Sequence, residues 1–285
     1  MKLKKFAFSA ITLASVVALC LGLTSCNGTQ SGYTGVAQQA DIFTELNART
    51  ADAGIMDFTM TSYLLSQNTD LTANLCIADG ITFEDEQYGI AFRKGSTGLC
   101  DKVNSALAAL EDTDIAEIAT RYGLSDNVLE LSYSSDAETD DTDWDYIVSK
   151  GTFVIGYTLN PPMAIKDLNT DKLVGFDIDL PIAVFDWINE TYGTSITVKF
   201  QLIDWDEKLS ELNSKSIDCI WNGMTINENR LKNMTISTPY LLNRQCVVIR
   251  KSDAEKYNTA DSLKNARVVA ERGSAGETVG EAIFN

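Results

Sequence analysis

Two periodicities alternate along most of this chain. Short apolar runs rich in β-branched residues predict strands at 53–57, 89–93, 153–156, 196–200, 246–249 and 267–270. Apolar positions repeat at helical spacing in four segments, which predicts helices at 41–49, 101–120, 178–189 and 205–214. Because strands and helices alternate, we expect α/β lobes with mostly parallel sheets. The 285 residues are enough for about two such lobes.

The first 25 residues have the pattern of a secretory signal. Three lysines precede an apolar run over residues 6–23, and the run ends in Leu-Thr-Ser-Cys26, which resembles a bacterial lipobox. The run is short for a membrane span, and polar residues follow it. We expect a signal peptide at 1–25, lipid on Cys26 and a tether at 26–33. A plain signal or a single transmembrane anchor is the alternative.

Charge and composition exclude several classes of function. The chain has no histidine, so Ser-His-Asp and Cys-His nucleophile systems are excluded, and zinc sites lose their commonest ligand. Its formal net charge of −17 argues against nucleic acid as a partner. Removing the signal removes three lysines and no acid, which makes the charge −20. An acylated acidic protein is held at a membrane by its lipid and not by a basic patch.

Four cysteines remain after Cys20 leaves with the signal and Cys26 takes the lipid: Cys76, Cys100, Cys219 and Cys246. Their spacing matches no CxxC or metal-binding pattern. Cys219 and Cys246 lie in runs typical of strands, which favours small buried thiols. Disulfides remain possible for an exported protein.

Motifs in the second part of the chain carry a family resemblance. They occur in the order Gly151-Thr-Phe-Val-Ile-Gly, Asn160-Pro-Pro-Met, Leu173-Val-Gly-Phe-Asp-Ile-Asp-Leu, Ile203-Asp-Trp-Asp, Ile217-Asp-Cys-Ile-Trp-Asn-Gly-Met-Thr and Ser237-Thr-Pro-Tyr. The series resembles the amino-terminal half of the polar amino-acid family of ABC-importer solute-binding proteins, and 262–277 resembles the next family block. The resemblance implies a two-lobed, periplasmic-binding-protein-like (type 2) α/β fold with a ligand cleft and a two-strand hinge.

The segments that the family places next are found at the front of the chain. Residues 40–57 resemble the following helix and strand, 88–95 the return strand, and 101–123 the closing helices. The pattern therefore resembles a circular permutant, joined by an acidic linker at about 133–143. We expect the second part of lobe 2 at 34–88, lobe 1 at 89–246 and the first part of lobe 2 at 247–285. Two chains that complete each other by swapping are the alternative.

The resemblance also assigns residues for a free amino acid. Arg230 takes the family position of the guanidinium that grips the ligand carboxylate, Thr225 adds a hydroxyl and an N–H, and Gly223 beside Asn222 allows close approach. Asp57 matches the aspartate that takes the ligand ammonium. Asp52 is interpreted as a structural turn residue.

Further residues are expected at the cleft. Ser274 and Ala275 open a helix through a Ser-x-x-Glu capping box, whose free N–H groups attract a carboxylate. Trp205, Asn160, Tyr157 and Glu271 are expected to face the ligand side chain. The segment around Asn160 is one residue shorter than in relatives, and Glu271 favours a ligand with donor groups.

The resulting hypothesis is capture by hinge closure. An extracytoplasmic, lipid-anchored, monomeric protein binds a free polar or charged amino acid and delivers it to an ABC permease, with no catalytic residue, metal or cofactor. The hinge is expected near 88–92 and 246–250. A dehydratase or lyase on the same fold, and an amino-acid sensor formed as a swapped dimer, are the alternatives.

Overall fold

The computed structural model describes residues 31–134 and 139–285. The predicted signal peptide, Cys26 and most of the predicted tether lie outside this part of the chain. The strands are β1 (Gly32–Val36), β2 (Ala53–Asp57), β3 (Leu75–Ile77), β4 (Asp85–Arg93), β5 (Thr152–Tyr157), β6 (Ile165–Lys166), β7 (Leu173–Val174), β8 (Thr197–Leu202), β9 (Cys219–Thr225), β10 (Met234–Ile236), β11 (Leu241–Arg250) and β12 (Arg267–Glu271).

Helices lie in all four predicted amphipathic segments, and others lie outside them. The helices are α1 (Gln39–Asn47), α2 (Phe58–Gln67), α3 (Thr69–Asn74), α4 (Thr97–Leu110), α5 (Ala116–Tyr122), α6 (Thr142–Lys150), α7 (Phe176–Tyr192), α8 (Lys208–Asn213), α9 (Glu228–Asn233) and α10 (Ala275–Phe284). Several of them, such as α2, α3, α6 and α9, were not predicted. The single helix predicted over 101–120 is α4 and α5 joined by a π-helical turn. Helix α8 begins three residues later than predicted. The α/β fold class is confirmed.

One sheet is built from strands at both ends of the described chain. Strand β1 pairs with β12 in parallel, β12 pairs with β2 in parallel, and the second part of β11 pairs with β2 and β3. We call this sheet, with α1–α3 and α10, the terminal half (residues 32–84 and 245–284). Its apolar residues form two clusters, one around Ile55 and Val247 and one around Ile42 and Val248.

A second group of strands forms the central half (residues 88–244, with α4–α9). Strand β5 pairs in parallel with β8 and with β9, whereas β4 pairs antiparallel with β9 and β10. Its larger core surrounds Phe153, Phe185 and Trp221, and a smaller one surrounds Ile217. Each core cluster stays within one half, so the halves carry separate cores.

The two halves are joined through β4 and β11. These strands pair antiparallel over residues 85–88 and 241–244, after which β11 continues into the terminal half. The crossing therefore lies several residues before the expected hinge on both strands. The sheets are also less parallel than predicted, because antiparallel ladders surround both crossing strands.

The predicted tether and linker are shorter than expected. Strand β1 begins at Gly32, inside the expected tether, and α6 begins at Thr142, inside the expected linker. Residues 135–138 of the linker lie outside the described residues. After them, Asp140 is held at the start of α4, since its N–H donates to Thr97 Oγ1 and its carbonyl accepts from the Gly98 N–H.

The four described cysteines are free thiols. Cys219 and Cys246 are buried in β9 and β11, as their strand-like surroundings predicted. Within residues 31–134 and 139–285, no helix has both the length and the apolar character needed to cross a membrane.

Candidate functional site

A cleft lies between the two halves, where the ends of β2, β9 and β12 meet. Ten of the eleven predicted binding residues line it: Asp57, Asn160, Trp205, Asn222, Gly223, Thr225, Arg230, Glu271, Ser274 and Ala275. Gln38, Gln39, Met60, Thr158 and Leu159 also line it and were not predicted. Both halves therefore contribute polar groups to one site.

Arg230 is the buried cation of this cleft. It lies on α9, whose first turn is capped by Asn227 Oδ1, which accepts from the Arg230 N–H. Its Nη1 donates to the Thr225 carbonyl at 2.6 Å, and its Nη2 donates to the Gly273 carbonyl of the terminal half at 3.1 Å. Burial lowers the pKa of Arg230, while Asp57 and other nearby acids oppose the shift. The guanidinium is held in the cleft by backbone oxygens.

Asp57 is the buried anion of the terminal half. Its Oδ1 accepts from Asn243 Nδ2 and from Gln245 Nε2, each at 2.8 Å. On the cleft side, Gln39 Nε2 donates to its Oδ2, and Gln39 Oε1 accepts from the Asp57 N–H. Burial raises the pKa of this carboxyl, and the amide donors oppose that shift. The amides thus orient a desolvated carboxylate towards the cleft.

Glu86 is a second carboxylate of the site and was not predicted from the sequence. It connects Asp57, through Gln245, with Thr225, which was predicted to bind the ligand carboxylate. Glu86 accepts from Thr225 Oγ1 and from Gln245 Nε2, both at 3.0 Å. Gln245 Nε2 therefore bridges Glu86 and Asp57. The Thr225 hydroxyl, expected to serve a ligand, is engaged by Glu86 in this structure. Burial raises the pKa of Glu86.

The floor of the cleft is fixed from below by Asp177. Its Oδ2 accepts from the Gly223 N–H at 2.7 Å, and the Tyr240 hydroxyl donates to both of its oxygens. Gly223 has a φ of +59°, and a Cβ atom there would lie 3.0 Å from the Tyr88 ring, so glycine suits this position. Beside it, the Asn222 amide contacts Thr158 Oγ1 at 2.8 Å. Burial raises the pKa of Asp177 to about 7.

The terminal half presents a helix start to the cleft. Ser274 caps α10, because its Oγ accepts from the Glu277 N–H at 3.1 Å. The predicted capping box is only half formed, since Glu277 Oε2 accepts from the Gly273 N–H and not from Ser274. Ala275 is the first residue of α10.

The predicted side-chain contacts divide into two groups. Trp205 is buried with its ring 5.8 Å from the Arg230 guanidinium, and Glu271 is buried beside Gln39. Burial, and to a smaller extent the nearby charge of Asp57, raises the pKa of Glu271 to about 8. Tyr157, by contrast, packs edge-to-face against Phe200 with ring centres 6.2 Å apart. It is the one predicted binding residue that the structure places outside the cleft lining.

Asn160 offers an unsatisfied acceptor. It is 6% exposed, and its Oδ1 has no hydrogen-bond partner among the described residues. A buried acceptor left without a donor is costly. Across residues 31–134 and 139–285, no cluster of acidic or sulfur ligands is arranged to hold a metal ion.

Asn243 and Gln245, which donate to Asp57, were not predicted, but their spacing in the sequence could have indicated them. They are polar residues two apart in β11, a spacing that places both on one face. Asp52, interpreted as structural, pairs with Arg267 and Arg250, and the hydrogen bonds from Arg267 lower its pKa.

Part of the chain is similar to known proteins. Residues 153–271 match the model of the bacterial extracellular solute-binding proteins, family 3. The chain is 28% identical over 123 residues to the L-cystine-binding protein TcyJ of Escherichia coli (strain K12), covering 43% of this chain and 44% of that protein. It is 28% identical over 130 residues to the glutamine-binding protein of Geobacillus stearothermophilus, covering 45% of this chain and 48% of that protein.

Solved structures give partial matches as well. A histidine-bound substrate-binding protein of an ABC uptake transporter from Streptococcus pneumoniae is 35% identical, with 33% of this chain and 36% of that chain covered and a TM-score of 0.29. The chain spans less than half the length of the curated relatives described. Over this range, the predicted resemblance to amino-acid-binding proteins of ABC transporters is confirmed.

Proposed function

We propose that this chain, which contains a segment of the family 3 extracellular solute-binding proteins, captures a free polar or charged amino acid in the cleft between its two halves. It does so without catalysis and delivers the amino acid to an ABC permease. The named relatives bind L-cystine, glutamine or histidine, which supports an amino acid as the ligand class.

One observation carries the proposal. A guanidinium from the central half, on Arg230, and a carboxylate from the terminal half, on Asp57, are both buried and line the same cleft. A zwitterion needs an opposite charge at each end when it is desolvated. Arg230 suits the α-carboxylate because its planar donors can bind both oxygens. Asp57 suits the α-ammonium, and Asn160 Oδ1 offers a further acceptor.

Because the two charges come from different halves, binding favours closure. A ligand held by Arg230 on the central half gains its contact with Asp57 only when the terminal half is near. The crossing of β4 and β11 at 85–88 and 241–244 is the natural hinge, since within residues 31–134 and 139–285 only these strands run from one half into the other. The ligand thereby selects the closed form.

The unit is proposed to be a circular permutant. Segments 34–88 and 247–285 build one lobe, and 89–246 builds the other. Supporting this, the parallel ladder β1–β12–β2 joins residues from the two ends of the described chain in one sheet. The swapped alternative would form the same ladder between two chains. We further propose that lipid on Cys26 holds the protein at the outer face of the cell membrane.

The test is a thermal-shift screen of the purified chain against the common amino acids. A bound ligand stabilises the folded state by about 4 kcal/mol at 1,000 times its Kd, which raises Tm by several degrees. We expect at least one polar or charged amino acid to raise Tm, and Arg230→Ala to abolish that response. If no amino acid stabilises the wild type, or if Arg230→Ala responds equally, the proposal fails.

A further inference from the structure

Lys208 joins the two halves behind the cleft. It is the first residue of α8, and its side chain is buried with 8% of the residue exposed. Its Nζ donates to the Trp205 carbonyl at 2.8 Å, within the central half, and to the Gly273 carbonyl at 2.9 Å, in the terminal half. The ammonium also lies 4.8 Å from the centre of the Trp205 ring. One side chain thus bridges the halves without lining the cleft.

The backbone at Gly273, whose carbonyl accepts from Lys208, leaves room for the ammonium. Gly273 has a φ of +70°, and a Cβ atom there would lie 2.8 Å from Lys208 Nζ and 3.2 Å from Asp206 Oδ1. The positive φ favours glycine, and a larger residue would press on the ammonium. The same carbonyl accepts from Arg230 Nη2, so a ligand-binding residue and Lys208 meet at one backbone oxygen.

We propose that Lys208 is a positioning residue that latches the closed cleft, by tying Gly273 of the terminal half to Trp205 of the central half. This inference rests on the proposed function and goes beyond it, because the latch acts without touching the captured amino acid. Separation of the halves must break the bond to Gly273, while the bond to Trp205 stays within the central half.

The charges around Lys208 make the latch sensitive to pH. Burial, followed by repulsion from Arg230, lowers the pKa of Lys208 to about 8, whereas Glu271, Asp206 and Glu277 act in the opposite direction. In an opened cleft, water reaches the ammonium and its pKa returns towards its ordinary value, about 10.4. Between about pH 8 and pH 10.4, the closed form therefore binds fewer protons than the open form, so a rise in pH favours closure. The neutral amine still donates to Gly273.

The decisive experiment compares the wild type with Lys208→Met, which keeps the length of the side chain and removes its donor. Lys199→Met is the matched control, because Lys199 is an exposed lysine on β8 of the same half. Small-angle scattering without ligand is recorded at pH 7 and pH 10. Ionisation of Glu271 over this range opposes closure in all three proteins, so the latch is read from the difference between them. We expect the wild type and Lys199→Met to become more compact relative to Lys208→Met between pH 7 and pH 10. Equal compaction of all three proteins overturns the latch.

Binding of L-arginine, L-glutamine and L-histidine provides the second readout. For whichever of them binds the wild type, the ratio of the Kd of Lys208→Met to that of the wild type should rise roughly tenfold or more from pH 7 to pH 10. The titration of the amino acid itself cancels in this ratio. A ratio that is the same at both pH values overturns the latch. If no amino acid in the full screen binds the wild type, the proposed function fails, while scattering still tests the latch.

Discussion

Arg230 Nη1 donates to the carbonyl oxygen of Thr225 at 2.6 Å, which ties the guanidinium on α9 to the end of β9. The cation is therefore oriented before any ligand arrives, and little side-chain entropy is lost on binding. Thr225 has a second role through its hydroxyl, which donates to Glu86. The side of the cleft proposed to bind the ligand carboxylate is thus preorganised by backbone and side-chain contacts.

Arg230→Lys keeps the charge and loses the planar fork. A lysine cannot bind the Thr225 carbonyl, the Gly273 carbonyl and both oxygens of a ligand carboxylate together. We expect the Kd for the captured amino acid to rise at least about 30-fold, for a loss of about 2 kcal/mol. Calorimetric titration measures this. Arg244→Lys is the control, because the Arg244 guanidinium lies over the Phe58 ring. Equal affinity of Arg230→Lys and the control would refute the assigned role.

Asp57→Asn removes the anion that faces the ligand ammonium. It also places an amide among the donors of Asn243, Gln245 and Gln39. We expect a loss of binding of about 2–5 kcal/mol, since truncating one partner of a buried charge pair costs that much. Equilibrium dialysis measures the affinity, with Asp261→Asn as an exposed control in the terminal half. An affinity within threefold of the wild type would contradict the assignment.

Two inactive variants test whether one chain builds the whole site. Asp57→Asn and Arg230→Lys are unfolded together and refolded. A swapped dimer would pair the intact Asp57 of one chain with the intact Arg230 of the other, and some binding would return. If each chain folds on itself, the mixture binds no better than the separate variants. We expect no recovery, and a monomer on a sizing column. Recovered binding would establish swapping.

Asp177→Asn tests the support beneath Gly223. The pKa of Asp177 is raised by burial to about 7 in the folded protein, against about 3.9 in an unfolded chain. As pH rises from 4 to 7, the unfolded chain ionises while the folded protein holds its proton, so the wild type loses stability. The Asp177→Asn variant does not lose stability in this way, because asparagine does not ionise. Urea unfolding at several pH values should show the variant gaining stability relative to the wild type up to pH 7. A constant difference would contradict this.

Apolar runs in the sequence predicted six of the strands, and the family resemblance predicted Arg230 and Asp57 at the cleft, which both residues line. Apolar runs define β2, β5 and β12, and Arg230 and Asp57 lie in motifs with fixed spacing. Other features depend on distant contacts. Gln39 and Glu86 reach the site only because the chain brings α1 and β4 beside β2 and β9, and no local pattern identifies them. Tyr157 packs against Phe200 and does not line the cleft, and the face on which the last side chain of β5 lies depends on the strands around it.

The central claim is that the cleft recognises both ends of a zwitterion. Calorimetry with the amino acid found in the screen, its amine without the carboxylate and its acid without the ammonium tests this most directly. Leaving Arg230 or Asp57 buried without its partner should cost each analogue about 2–5 kcal/mol. We therefore expect one amino acid bound per chain, and each analogue bound at least about 30-fold more weakly. Analogues that bind as tightly as the amino acid would contradict the account.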